Sequence, residues 1–135
     1  MLVFEKTIPS TREASRSLIR EALEFFSLLK RKGYASGVSE FTMRLVMDEA
    51  LENAIRHGNR YNEEKIILFR LMGNKKKVSV TVQDQGGGFH PDRLPDPLHG
   101  NNRFAPGGRG LLLMSNIGIV TWNAEGNCVS IELPR

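Results

Sequence analysis

The chain has 135 residues, of which 40% are hydrophobic and 25% charged, and these values exclude a mostly disordered or collagen-like protein. No apolar run reaches the roughly 18 residues that a membrane span needs, and Glu5 and Lys6 interrupt any signal-peptide core. The one cysteine, Cys128, cannot form an internal disulfide and suits a reducing compartment. We therefore expect one cytoplasmic domain over residues 1–135, without membrane association.

The formal net charge of +4 raises the possibility of nucleic-acid binding. Two short basic runs, Lys30–Lys32 and Lys75–Lys77, each fall where a helix or strand is predicted to end. No aromatic side chains are interleaved with them, as a stacking platform for bases would require. We interpret both runs as solvated turns and expect no direct contact with nucleic acid. The histidines and Cys128 lack zinc-ligand spacing.

The first elements in chain order are an edge strand and an amphipathic helix. Leu2–Ile8 alternates loosely and ends at Pro9, which is typical of an edge strand. Ser10 and Glu13 form a potential capping box, which predicts that the helix begins there. Its apolar stripe runs until Gly33 and comprises Leu18, Ala22, Phe25, Phe26 and Leu29.

A second helix is predicted to begin near residues 36–39 and to stop at His57–Asn59. Glu49 and Asn53 lie one turn apart, at the margin of its broad apolar face. A carboxylate and an amide beside a buried face are costly unless they have partners. This placement is the first indication of a functional site.

The rest of the chain changes to a strand period, interrupted by one long loop. Strands and a short helix are predicted at Lys65–Met72, Val78–Val82, Leu111–Ile117, Ile119–Asn123 and Cys128–Leu133. The stretch from Gln85 to Gly110 is rich in glycine and proline, as a functional lid is. The order β-α-α-β-β-loop-α-β-β predicts an α+β two-layer sandwich, with about three helices on one face of a mixed, mostly antiparallel sheet.

Three segments carry the residue types of a nucleotide site: Asp48–Ala54, Asp84–Phe89 and Gly107–Leu111. Glycines that lead into a helix expose backbone N–H groups to a phosphate. An aspartate that opens a glycine turn can accept a hydrogen bond from an exocyclic amine such as that of adenine. An asparagine oxygen suits magnesium, and a nearby glutamate can take a proton.

Each segment alone also has a bland explanation: a common turn, a solvated helix edge or a flexible hinge. No glycine-lysine-serine or glycine-lysine-threonine follows a strand, so the chain is not a P-loop protein. No βαβ unit surrounds the glycines, which excludes the dinucleotide fingerprint. The argument for a nucleotide site therefore depends on the three segments together.

In this order and spacing, the segments resemble the N, G1 and G2 boxes of the ATPase superfamily of gyrase and histidine kinases, which has the Bergerat fold. Within it, the short chain resembles the bacterial anti-sigma-factor serine/threonine kinases. The stretches Glu49–Asn59, Leu94–Pro97 and Asn123–Asn127 are also similar to that family. The resemblance covers nearly the whole chain and implies ATP and Mg²⁺ as cofactors.

The resemblance also implies roles for single residues. Glu49 would be the general base, Asn53 the magnesium ligand and Asp84 the adenine-binding aspartate. Arg109 would reach a terminal phosphate, or would simply be an exposed arginine of a lid that covers about residues 85–110. The glycines that shape the base pocket and the lid would be Gly86, Gly88, Gly108 and Gly110.

The sequence departs mildly from the family pattern. Gln85 and Gly87 stand where an acid and a proline are frequent, which predicts a looser turn after Asp84 that keeps its hydrogen-bond donors.

The implied function is that of an ATP- and magnesium-dependent serine protein kinase that is also an anti-sigma factor. Such a homodimer sequesters a sigma factor and phosphorylates a serine of a small anti-anti-sigma partner of the STAS type. Two alternatives remain open from the residues themselves. One is a non-catalytic module in which ATP only orders the lid and sets partner affinity. The other is a detached ATPase module that serves a sensor system.

Overall fold

A computed structural model describes residues 1–35, 37–86, 118–123 and 126–134. The elements in these ranges are β1 (Leu2–Pro9), α1 (Arg12–Arg31), α2 (Glu40–Asn53), a π-helical turn (Ala54–Gly58), β2 (Ile66–Gly73), β3 (Lys77–Gln83), β4 (Ile119–Trp122) and β5 (Cys128–Pro134). Neither α-helix of the described ranges is long and apolar enough to span a bilayer. The predicted helix at 111–117 and most of the predicted lid lie outside the described residues.

The five described strands form one sheet in the order β1-β2-β3-β5-β4. Every pairing among them is antiparallel, which agrees with the predicted mostly antiparallel sheet; no parallel pairing occurs among the described strands. The physical reason lies in the connections. Helices α1 and α2 form a hairpin that returns the chain to the end of β1, and Pro9 therefore stands opposite Ile66. The predicted edge position of β1 is confirmed.

The core lies between the sheet and the two helices, as expected for a two-layer α+β sandwich. In β2, Ile67, Phe69 and Leu71 are fully buried, while the residues between them are only partly covered. The fully buried large side chains of the two helices are Leu18, Phe26, Leu29, Met43, Met47 and Leu51. The sheet face that carries Phe69 is therefore the one that the helices cover.

Helix α1 begins one residue later than predicted. Thr11 is the N-cap, and its side chain accepts a hydrogen bond of 3.1 Å from the Ala14 N–H. Ser10 instead continues the strand pairing, because its backbone N–H donates to the Lys65 carbonyl at 3.0 Å. The predicted end of the helix is confirmed, since Gly33 follows α1 with a φ of +81°.

The turn between β2 and β3 contains the second basic run. The Asn74 side-chain oxygen accepts hydrogen bonds from the N–H groups of Lys76 (2.8 Å) and Lys77 (3.0 Å). The lysine side chains are exposed, and Lys77 pairs with Glu132 of β5 at 2.7 Å. The run therefore caps a hairpin turn, as the sequence predicted.

Candidate functional site

Asp84 lies at the point where β3 ends and the glycine-rich segment begins. Its backbone N–H donates to the Asn127 carbonyl at 2.8 Å, which extends the β3–β5 pairing by one residue. Its side chain is only 6% exposed, and Oδ1 accepts a 2.8 Å hydrogen bond from the Gly86 N–H. The carboxylate thus folds back on its own backbone, as aspartate does at the start of a turn.

The electrostatics of Asp84 favour a ligand that donates hydrogen bonds. Burial raises the pKa of the Asp84 carboxyl above its ordinary value. The hydrogen bond from the Gly86 N–H and the charge of Lys65 lower this pKa, but by less than burial raises it. A buried carboxylate is costly when few donors satisfy its oxygens. An exocyclic amine placed against Asp84 would supply such a donor.

Two glycines allow the helical layer to approach this carboxylate closely. A Cβ atom on Gly58 would lie 2.1 Å from Asp84 Oδ2, and one on Gly86 would lie 1.7 Å from the Gly58 carbonyl oxygen. Among the described glycines, Gly33 and Gly126 have a positive φ, whereas Gly58 and Gly86 do not. Backbone conformation therefore does not explain the glycines at positions 58 and 86. Glycine is needed at both positions because a side chain has no room there.

The end of α2 is a π-helical turn, which the sequence did not predict. The Asn59 N–H donates to the Ala54 carbonyl at 2.7 Å, five residues back instead of the four of an α-helix. Single π-helical turns occur frequently at functional sites. Here the turn ends at Gly58, the residue that contacts Asp84.

Asn53 and Glu49 lie on α2 just before the π-helical turn. Asn53 is the last residue of α2 and is 7% exposed, whereas Glu49 is half-buried. The pKa of Glu49 is raised, mainly by burial and further by the negative charges of Asp48 and Glu52. Glu49 therefore lies at the predicted margin of the buried face, whereas Asn53 lies within the buried face.

Glu49 lines a groove of about 420 Å³ between α1 and α2. Arg12 and Glu52 form part of the wall of the groove, and the Arg12 guanidinium pairs with the Glu52 carboxylate at 2.8 Å. The same guanidinium lies 5.7 Å from the centre of the Tyr61 ring. A proton acceptor therefore lies at an open groove.

The prediction of a loosened turn named Gln85 and Gly87. Gly87 lies outside the described residues, and Gln85 is held by two hydrogen bonds. Its side-chain Oε1 accepts a 2.9 Å hydrogen bond from the Ile66 N–H, and its own N–H donates to Asn59 Oδ1 at 2.8 Å. The first contact ties the turn after Asp84 to the start of β2, and the second ties it to the end of the π-helical turn. Sequence reasoning missed Gly58 and Asn59 as parts of the site, because glycine and asparagine after a helix ordinarily mark only its end.

The residues present fit an adenine nucleotide and a magnesium ion. Asp84 offers a buried acceptor beside glycines, which suits the amine of a base approaching closely. Asn53 offers an amide oxygen, a ligand type that magnesium accepts. The remaining predicted site residues, Gly88, Gly108, Arg109 and Gly110, lie outside the described residues and stay predictions.

The comparison with protein families defines the class of the protein. Residues 8–133 match the model of the histidine kinase-like ATPase domain, and the chain belongs to this family. The predicted ATPase family is thereby confirmed, and the chain is an ATP-binding domain of the kinase-like type.

Two individual proteins are similar to this chain. The serine/threonine-protein kinase BtrW of Bordetella bronchiseptica is 36% identical over 76 residues, which are 55% of this chain and 54% of that protein. The chain thus matches about half the length of this curated relative. The blue-light activated histidine kinase of Erythrobacter litoralis EL346 superposes with a TM-score of 0.49 and is 27% identical, over 72% of this chain and 31% of that one.

Proposed function

We propose that this chain is a cytoplasmic, ATP- and magnesium-dependent serine protein kinase that also acts as an anti-sigma factor. The observation that carries the proposal is the layout of α2. The half-buried Glu49, whose pKa is raised, lies one turn before the buried Asn53. Asn53 in turn directly precedes the π-helical turn that ends at Gly58, the glycine next to Asp84. Similarity to a protein named as a serine/threonine kinase supports the same activity.

ATP would bind where the end of α2 meets Asp84. Asp84 would accept a hydrogen bond from the adenine amine, while Gly58 and Gly86, which leave no room for a side chain, let the backbone pack closely around that carboxylate. Asn53 would hold the magnesium ion, which when bound neutralises part of the phosphate charge. We assign Gly88 to the base pocket, and Gly108, Arg109 and Gly110 to the phosphates, from the family resemblance.

In the transfer step, Glu49 would accept the proton of the substrate serine hydroxyl. The serine oxygen attacks the γ-phosphorus as the bond from that phosphorus to the bridging oxygen breaks, and ADP leaves. Burial and the neighbouring carboxylates raise the pKa of Glu49, which makes its carboxylate a better proton acceptor. Most of the acceleration in such a transfer comes from positioning and charge neutralisation.

The partners follow from the family resemblance. We propose that a homodimer of this chain sequesters a sigma factor and phosphorylates a STAS-type anti-anti-sigma protein, which releases that protein. A second candidate is a non-catalytic module whose affinity for its partner depends on ATP. This candidate would use Asp84 for nucleotide binding and would need no contribution from Glu49.

The experiment that separates the two candidates is radiolabel transfer from ATP to a partner co-purified from native lysate. Glu49→Gln should keep ATP and partner binding but lower transfer by roughly 10²–10⁴-fold, the usual contribution of a general base. Asn53→Ala should weaken metal-dependent nucleotide binding and transfer together. Glu24→Gln, an exposed glutamate on α1, is the matched control and should behave as the wild type.

A wild-type protein that binds ATP and partner but transfers no more label than Glu49→Gln is not a kinase of that partner. That result would leave the ATP-gated module as the function.

A further inference from the structure

The side chain of Asn59 joins the start of β2 to the turn after Asp84. Asn59 is 1% exposed, and its amide is used at both ends. Its Nδ2 donates to the Ile66 carbonyl at 3.1 Å, and its Oδ1 accepts from the Gln85 N–H at 2.8 Å. A buried amide with both ends satisfied fixes the two backbone segments relative to each other.

This amide stands where the sheet would otherwise continue. The β2–β3 register pairs Leu68 with Gln83, and its extension by two residues would place Ile66 opposite Gln85. In such a rung the two backbones would bond each other directly. Instead, the Asn59 amide lies between the Ile66 carbonyl and the Gln85 N–H and bonds both of them.

The Gln85 side chain completes the replacement. Its Oε1 accepts the 2.9 Å hydrogen bond from the Ile66 N–H. Both backbone groups of Ile66 therefore have a hydrogen-bond partner, although the rung itself is missing. The segment after Asp84 can therefore separate from β2 while the N–H groups of Ile66 and Gln85 both keep an acceptor. We call the side chains of Asn59 and Gln85 the amide clamp.

Both residues of the amide clamp are next in sequence to residues that orient or carry the Asp84 carboxylate. Asn59 follows Gly58, against which Asp84 Oδ2 packs, and Gln85 lies between Asp84 and the Gly86 N–H that binds Oδ1. A shift of either backbone segment would move one of the two contacts that orient the carboxylate.

We propose that Asn59, together with Gln85, is a positioning residue that holds the Asp84 carboxylate in the orientation required to select an adenine base. The inference rests on the proposed binding of the adenine amine by Asp84. In the proposed site, the metal and the phosphates are assigned to other residues: Asn53, Gly108, Arg109 and Gly110. Loss of the clamp should therefore reduce the preference for adenine over a base that lacks the amine, and not nucleotide binding in general.

The test compares ATP with inosine triphosphate, which carries the same phosphates but has a carbonyl in place of the amine. Calorimetry measures both affinities for the wild type, Asn59→Ala, Gln85→Ala and Gln85→Glu, beside a thermal melt of each variant. The matched control is Asn62→Ala in the same loop, whose exposed side chain accepts only a local 3.0 Å bond from the Glu64 N–H.

We expect the wild type to prefer ATP by about tenfold or more, since a hydrogen bond to a charged group is lost with inosine. Asn59→Ala should reduce that preference by about tenfold and Gln85→Ala by about threefold, with little change for inosine triphosphate. Gln85→Glu keeps an acceptor for the Ile66 N–H and should retain the preference. Asn62→Ala should match the wild type.

The outcomes separate the clamp from the proposed function. Wild-type protein that binds neither nucleotide, or both equally, overturns the adenine site and the clamp with it. Wild-type protein that prefers ATP, with the same preference in Asn59→Ala and Gln85→Ala, overturns the clamp alone. Gln85 is exposed, so Gln85→Ala decides the question if Asn59→Ala fails to fold.

Discussion

Replacing Gly58 with alanine tests whether the junction of α2 and Asp84 is the nucleotide site. The substitution adds one carbon atom, and the backbone of Gly58 is compatible with alanine because its φ is not positive. Any effect must therefore come from the space that the new Cβ occupies. Directly in that space lies the Asp84 carboxylate, with Oδ2 at 2.1 Å and Cγ at 2.2 Å.

The size of the effect follows from these distances. Ordinary contacts of a Cβ begin at 3.4 Å, so the carboxylate has to retreat by roughly 1 Å or more, and overpacking of this kind costs about 1–3 kcal/mol of folding stability. The retreat also strains the 2.8 Å bond from the Gly86 N–H. If Asp84 binds the adenine amine, its displacement should remove about 1.5–3 kcal/mol of ATP binding, roughly 10- to 150-fold in affinity.

The assay is calorimetry of ATP binding beside urea unfolding, with Gly73→Ala as the matched control. A Cβ on Gly73 would lie 2.8 Å from Leu29 Cδ1, the far end of a flexible side chain remote from Asp84. Gly73→Ala should therefore lower stability while leaving ATP affinity unchanged. A folded Gly58→Ala protein with wild-type ATP affinity would refute the reasoning, because Asp84 would then not be a nucleotide ligand in this position.

Three further outcomes are expected, two at Asp84 and one in the predicted lid. Asp84→Asn should lower ATP affinity by roughly 10- to 150-fold, since a charge-assisted hydrogen bond is lost. Burial raises the folded pKa of Asp84 above its unfolded value, so this group favours the folded state at low pH and loses that contribution as pH rises through the folded pKa. Urea unfolding without nucleotide should therefore show wild-type stability falling relative to Asp84→Asn from about pH 4 upward, and parallel pH profiles would contradict this. Proteolysis between Gln85 and Gly110 should decrease when Mg-ATP is added, because bound phosphates satisfy the N–H groups of the predicted lid; equal cleavage with and without nucleotide would identify a linker instead.

The parts of the fold that sequence predicted well are those governed by local periodicity. Alternation of buried and partly covered residues in β2 follows directly from Ile67, Phe69 and Leu71, and the strand bounds agree to within about one residue. The margin position of Glu49 follows from helical spacing. These features depend on neighbours in the same element, so the residues concerned are close in sequence.

The features that sequence did not predict depend on contacts between distant segments. The prediction that Ser10 caps α1 was wrong, because the Ser10 N–H donates a hydrogen bond to the carbonyl of Lys65, a residue far along the chain. The amide clamp likewise joins Asn59 to Ile66 and Gln85. Neither partner is identifiable until the strand register is known, because a one-residue shift would place a different backbone group opposite the asparagine.

Several features of the candidate site are concentrated at one junction. A π-helical turn, two glycines without room for a side chain and a buried carboxylate lie where the helical layer meets the end of β3. The burial of the carboxylate opposes folding, because few donors satisfy its oxygens. The apolar core formed by residues such as Phe26, Phe69 and Met47 lies elsewhere and is fully buried. A ligand that donates a hydrogen bond to Asp84 relieves the cost of burying this carboxylate only in the folded state. If the nucleotide binds at Asp84, its binding and the folding of this junction are coupled, and a loss of affinity there is also a loss of the stability that the ligand confers.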